Sequence, residues 1–273
     1  MITDAENAVR AGDLPLALDR LQDAIRAKPE DVRLRVFLFQ LLCVLGRWER
    51  ALSQLEVCAE MDAAAIAMRE TYRDAIACER VRADVFAGIR SPMLFGEPET
   101  WIALLIESLL RAGRGEEEAG ERLRQQAFEL APTTSGSVDG KAFAWIADCD
   151  MRLGPVLEAI VNGRYYWIPF CRLARIDLEE PTDLRDSVWL PAHLRFINGG
   201  ESVALIPVRY PGSESVDDGL IALARKSVWS ESRSGVFCGL GQRVLATDVG
   251  EYPLLDIRQV RLDEDAEIAP DHG

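Results

Sequence analysis

Histidine is nearly absent: the 273-residue sequence holds two, His193 and His272. They leave no histidine-rich ligand set, and no His-Glu-x-x-His zinc pattern occurs. The six cysteines, at 43, 58, 78, 149, 171 and 238, form no Cys-x-x-Cys pair. Neither a metal nor an organic cofactor is therefore expected. The nucleophile elbow Gly-x-Ser-x-Gly is missing as well. Long apolar runs are also lacking. The most apolar stretch, Val36 to Leu45, is broken by Gln40 and ends at Gly46, far short of the ~20 residues a membrane span needs. Basic residues are outnumbered, with 31 Lys and Arg against 45 Asp and Glu, for a net charge of −14. Such a chain repels phosphate backbones, so nucleic acid is not an expected partner. The first residues, Met1-Ile2-Thr3-Asp4-Ala5-Glu6, lack the basic and apolar parts of a secretory signal. The expected compartment is the cytoplasm, where cysteines remain reduced thiols.

The remaining composition, 48 % hydrophobic and 28 % charged, is that of an ordinary globular chain of about two domains. Residues 1–131 carry helical periodicity. Gly12-Asp13 and Gly46-Arg47 each separate two helical segments and stand 34 residues apart. Counted from each glycine, Ala17 matches Ala51, Leu21 matches Leu55, and Ala24 matches Cys58. Small residues there let two helices approach closely, and the leucine fills the gap between pairs. Pro29 ends the first unit, and Asp31 offers a cap for the next helix. This small-large-small pattern with a closing proline is tetratricopeptide-like. A looser third unit runs from Thr100 to Pro132, with Gly113, Ala119, Leu123 and Ala127. A longer helix, Ala63 to Phe86, precedes it. Stacked pairs of this kind present a concave face to a peptide or helix. First-helix positions give Ile2, Glu6, Val9 and Arg10 in unit one. Unit two adds Arg33, Val36, Gln40, Cys43 and Val44; unit three adds Ala103, Glu107, Leu110 and Arg111. The best groove candidates are Arg33, Val36, Gln40, Val44, Ala103, Glu107, Leu110 and Arg111, an apolar set with scattered charge that suits an amphipathic partner helix.

Composition shifts at the linker Pro132-Thr133-Thr134-Ser135-Gly136-Ser137. Beyond it, apolar alternation and turn signals predict a mainly antiparallel β domain over 138–262, small and partly closed like a barrel, with one or two helices. The fold class is thus α+β and multidomain, with a polar tail over 263–273. Phe143–Cys149 reads as a strand and Pro155–Val161 as a short helix stopped by Asn162-Gly163. Asn198-Gly199-Gly200 and Asp248-Val249-Gly250-Glu251 mark two hairpins. Gly239-Leu240-Gly241-Gln242-Arg243 lacks the dinucleotide and P-loop patterns and reads as a tight turn into the last hairpin. Trp167 and Trp189 are core candidates.

The order of motifs in this half is specific. Gly163-Arg164-Tyr165-Tyr166-Trp167-Ile168-Pro169 is followed by Leu184-Arg185-Asp186-Ser187-Val188-Trp189-Leu190-Pro191-Ala192. Then come Ile206-Pro207-Val208-Arg209-Tyr210-Pro211-Gly212-Ser213, Trp229 and Gly239-Leu240-Gly241-Gln242-Arg243. This order, with the helical repeat before it, resembles the ImpE/SciE-type (TagJ) family of type VI secretion accessory proteins. Ala224-Arg225-Lys226-Ser227-Val228-Trp229 departs from the Gly-Arg-x-Thr-Asp-Trp-like form of that family. The resemblance implies a non-enzymatic cytoplasmic adaptor associated with the contractile sheath through its small subunit. A ClpV-type AAA+ unfoldase, which disassembles the sheath after contraction, is a further implied partner. Two readings stand beside it: a thiol enzyme using Cys171 or Cys238 with His193, and a scaffold linking two secretion components, one per domain.

Overall fold

The computed structural model describes residues 2–232 and 235–263. His272 and the expected polar tail, apart from Asp263, lie outside the described residues. Among the described residues, seven α-helices occupy the N-terminal half: α1 (Ile2–Ala11), α2 (Leu14–Ala27), α3 (Val32–Val44), α4 (Trp48–Met61), α5 (Ile66–Phe86), α6 (Thr100–Gly113) and α7 (Glu117–Leu130). The pairs α1–α2, α3–α4 and α6–α7 pack as hairpins with the same helix stop. In each, a left-handed glycine (Gly12, Gly46, Gly115) donates to the carbonyl three residues back. The next residue donates to the carbonyl five back. These two hydrogen bonds satisfy carbonyls that a helix end leaves unpaired. Asp13 and Asp31 cap the helices that follow them, accepting from Leu16 N–H and Arg33 N–H. The third hairpin is registered differently from the sequence expectation. Its turn glycine is Gly115 rather than Gly113, 69 residues after Gly46. Its buried positions are Gly120, Arg124 and Ala127, in place of Ala119 and Leu123. Gly120 is required because a Cβ would strike the Ser108 carbonyl of α6. Arg124 tolerates burial through its ion pair with Glu121.

Strand β1 (Met93–Leu94) precedes α6, and the rest follow α7: β2 (Gly136–Val138), β3 (Lys141–Phe143), β4 (Ile146–Asp148), β5 (Val156–Val161), β6 (Arg164–Pro169), β7 (Leu173–Leu178), β8 (Trp189–Phe196) and β9 (Glu201–Pro207). A short helix, α8 (Gly219–Ala222), separates them from β10 (Ser227–Glu231), β11 (Phe237–Gly241), β12 (Val244–Thr247), β13 (Gly250–Pro253) and β14 (Gln259–Leu262). Among the described residues, nine strands form one sheet in the order β1-β6-β5-β9-β8-β7-β14-β2-β3. The order has two open ends, so the sheet does not close into the barrel-like form expected from sequence. All its pairings are antiparallel except β1 with β6. β10–β11 form a separate ribbon, and β13-β12-β4 a small third sheet.

Three other expectations are corrected. Pro155–Val161 is not a helix: β5 is buried at every position, and a strand covered on both faces loses the alternation that identifies it. Asn162-Gly163 is a two-residue hairpin turn with both φ angles positive, 49° and 70°, as a type I′ turn requires. Phe143–Cys149 is divided between β3 and β4, which belong to different sheets. Gly239–Gly241 ends β11 rather than forming a turn; a Cβ on Gly239 would collide with the Tyr210 ring. The two expected hairpins are present as β8–β9 and β12–β13.

Helices and sheet share one core. Leu38, Phe39, Leu41 and Ile76 pack in the same cluster as Val156, Ile160, Trp167 and Trp189. Trp189 lies 5.8 Å, centroid to centroid, from both Trp48 and Tyr72. Its indole N–H donates to Glu79 of α5 at 2.8 Å. Trp167 packs on Phe86. Within this core lies a chain of charges. Glu158 of β5, fully buried, accepts from Arg82 of α5 at 2.6 and 3.0 Å. Arg243 donates to the same carboxylate and, at 2.5 Å, to Asp148. Tyr165 O–H donates to Glu158 and receives Trp167 Nε1–H at 2.7 Å. Arg82 also donates to the Arg209 carbonyl at 2.6 Å. Arg209 reaches the α3 carbonyls of Val44 at 2.7 Å and Cys43 at 3.3 Å.

Burial alone would raise Glu158, but attraction to Arg82 and Arg243 overrides it and holds the carboxyl at about 2. Burial dominates at Asp148, helped by Asp150 and opposed by Arg243, and pushes that carboxyl up to about 6. Removing one member of a buried ion network strands its partners in a low dielectric. Glu158→Gln is therefore expected to lower unfolding free energy by about 3–5 kcal/mol, measured by urea denaturation; a loss under about 1 kcal/mol would contradict the role given to this carboxylate. Between the ordinary aspartate value of 3.8 and about 6, folded Asp148 keeps a proton that the unfolded chain has released. Its contribution thus falls as pH rises through that window. The stability difference between the wild type and Asp148→Asn should fall across that window and flatten above it. A difference independent of pH would contradict the assignment.

Candidate functional site

The sequence candidates fall into two groups. On α3, Arg33 is exposed and bound to Asp31 at 3.0 Å, and Val36 is half-buried. Gln40 and Val44 are buried, as is Cys43. They lie in a layer covered by this chain's own β-rich half. The 3-10 turn Leu184–Ser187 packs on α3, Arg209 takes its last carbonyls, and Arg185 lies over Tyr72, which packs against Phe39. The inner face expected to be open at α3 is thus filled from within, and Gln40 and Val44 are withdrawn from any outside partner. In α1, Val9 is buried too, and Arg225 holds the Val9 and Arg10 carbonyls at 3.0 Å.

On α6 the outcome differs. Trp101, Ile102, Leu105, Ile106 and Leu109 face the core. Ala103 is exposed, and Glu107, Leu110 and Arg111 are half-buried. Their spacing sets them along one side of the helix. Arg111 is held by Glu107 and Glu116, both at 2.7 Å, so the stripe presents compensated charge around Ala103 and Leu110. The run Glu116-Glu117-Glu118 opens α7, where carboxylates complement the helix dipole. Exposed apolar side chains elsewhere include Ile89, Leu130, Val203, Trp229 and Phe237.

The thiol and imidazole candidates are not brought together. His193 stands on β8 of the large sheet, exposed, 3.7 Å from Glu201. Cys238 stands on β11 of the ribbon, and burial pushes its thiol up, with Arg152 opposing and Asp150 adding to the shift. Cys171 lies in the 3-10 turn Phe170–Arg172 and is buried. Among the described residues, no three His, Cys, Asp or Glu side chains converge as a metal site, and no helix is long and apolar enough to cross a membrane. A linked set of buried charges, Arg82–Glu158–Arg243–Asp148, is marked by no sequence motif. Its signal in sequence is charge inside apolar runs: Glu158 within Val156–Val161, and Arg209 after Ile206-Pro207-Val208.

The model of the family described as ImpE protein matches residues 140–261, which include Glu158, Arg209 and Arg243. A crystal structure of a protein from Vibrio parahaemolyticus superposes with a TM-score of 0.87 at 25 % identity, covering 97 % of this chain and 99 % of that one. A Pseudomonas aeruginosa protein named type VI secretion system accessory component TagJ is 48 % identical over 256 residues, 94 % of this chain and 90 % of its own. With an alignment that spans nearly the whole chain at that identity, the chain belongs to the ImpE family.

Proposed function

We propose that this chain is a non-enzymatic accessory component of a type VI secretion system. It acts in the cytoplasm as an adaptor that binds a helix of the small contractile-sheath subunit and assists sheath assembly or recycling. The observation that carries this reading is the 48 % identity to the accessory component TagJ over 94 % of the chain. A ClpV-type unfoldase is the second partner in the same account. The helical half, 1–131, is a tetratricopeptide-like module, and 138–262 is the β-rich domain that buttresses it. The repeated glycine stops at Gly12, Gly46 and Gly115 and the small residues Ala17, Ala51 and Gly120 under them support that description. The binding surface we assign is the α6 stripe of Ala103, Glu107, Leu110 and Arg111, with Arg33 and Val36 at the edge of α3, because the deeper α3 positions are covered. An amphipathic helix would set its apolar side on Ala103 and Leu110 and its charges beside Glu107 and Arg111.

Calorimetric titration of the full chain with peptides tiling the small sheath subunit tests this. One peptide should bind, and Ala103→Arg, at an exposed position that disturbs no core contact, should weaken it at least tenfold. Binding unaffected by Ala103→Arg would move the site off α6, and the absence of any binding peptide would overturn the adaptor reading.

A further inference from the structure

The helix layer covers only part of one face of the large sheet. It packs where Glu158, Ile160 and Trp189 point, and leaves the same face uncovered further along β9, β8, β7 and β14. Two cross-strand rows lie there, with Val203, His193, Arg195 and Arg261 exposed and Asp177, Gln259 and Arg175 half-buried. One runs Val203, His193, Asp177, Gln259. In the other, Arg195 of β8 stands opposite Arg175 of β7, which stands opposite Arg261 of β14. Three arginines in line on adjacent strands oppose folding, because like charges directly across a sheet repel. They also stand out in a chain of net charge −14. The surrounding charge answers them only in part. Arg175 pairs with Asp177 at 2.7 Å, and Arg261 donates to the neutral Gln259 at 2.6 Å. Glu201, the cross-strand neighbour of Arg195, lies 3.7 Å from His193 Nε2 and adds a weaker attraction to Arg175. The Arg195 side chain makes no hydrogen bond or ion pair among the described residues. Beside it, Val203 is 72 % exposed, the apolar member of an otherwise polar and charged patch.

We infer that this arginine row is a docking site for an acidic helix of a partner protein, laid across the strands. Neighbouring strands are about 4.8 Å apart, so the three guanidinium stems span roughly 10 Å. Carboxylates on successive turns of an α-helix recur about every 5.4 Å. A helix with acids at i, i+4 and i+7 therefore matches the row one carboxylate per arginine. Charge-assisted Arg–carboxylate bonds supply the strength, and an apolar side chain between them covers Val203. Extended polyanions fit less well: nucleic acid or an anionic membrane meets the repulsion of the whole acidic molecule, whereas a short acidic helix meets mainly the local field. The site lies on a different element from the α6 stripe and does not depend on the sheath reading.

The test is fluorescence anisotropy of the full chain with a capped helical peptide carrying Glu at i, i+4 and i+7 and a leucine between them, against the same peptide with Gln. The Glu peptide should bind, the Gln peptide at least tenfold more weakly. Arg195→Glu, which breaks no side-chain bond among the described residues, should cost the Glu peptide at least tenfold, with the circular dichroism spectrum unchanged. No binding, equal binding of both peptides, or unchanged affinity in Arg195→Glu would overturn the inference. A single-stranded oligonucleotide that competes as well as the Glu peptide would overturn it in favour of a general anion surface. Binding that appears only after removal of residues 264–273, which include Glu264, Asp265 and Glu267, would make this chain's own terminus the occupant and overturn the partner assignment.

Discussion

Glu158 is the point on which the architecture turns. One fully buried carboxylate is gripped by Arg82 from a helix on one side and by Arg243 from the last third of the chain on the other. Charges in a protein interior are tolerated when every lone pair and every N–H is used, and here nearly every one is. Tyr165 fills a remaining acceptor position on Glu158. Asp148 takes the second arm of Arg243, and the Pro207 carbonyl its Nε–H at 3.0 Å. Apolar packing alone would let helices slide on a sheet at small cost. A bidentate arginine–carboxylate contact does not, because it is directional. The network thus fixes the register between helices and sheet, while Trp167, Trp189 and Phe39 supply the buried area.

That register decides which surfaces are free. With Arg209 bound to the end of α3 and Trp189 wedged against Trp48 and Tyr72, the inner face of the first two hairpins belongs to the core. The surfaces left open include the rim at α6 and sheet surface beyond the reach of the helices. Membership in the ImpE family, and the similarity to a type VI secretion accessory component along nearly the whole chain, concern a single fused body. The helical half is not a free-standing repeat array with an unrelated domain attached.

Local features were legible in the sequence. Glycine stops, aspartate caps and small-large-small spacing involve residues a few positions apart, and they place α1 to α4 and α5 closely. Asn198-Gly199-Gly200 marks its hairpin for the same reason. The third hairpin slips in register because its large position is an arginine, Arg124, which the pattern of apolar residues passes over. β5 reads as a helix because burial on both faces erases alternation. Arg243 reads as part of a turn because Gly239 and Gly241 are there for close approach of Tyr210 and β10, a long-range demand invisible in a local motif. The groove residues Gln40 and Val44 fail for a related reason: repeat geometry says which face is concave, but not that the same chain fills it.

Native-state hydrogen exchange measures the central claim, that helices and sheet form one unit closed by the Glu158 network. Amides of Leu41 in α3 and Ala159 in β5 should open only through global unfolding, with equal free energies that fall together in Glu158→Gln. Exchange at Leu41 through a much smaller opening than at Ala159 would show that the helical half separates on its own, and that its inner face becomes available to a partner after all.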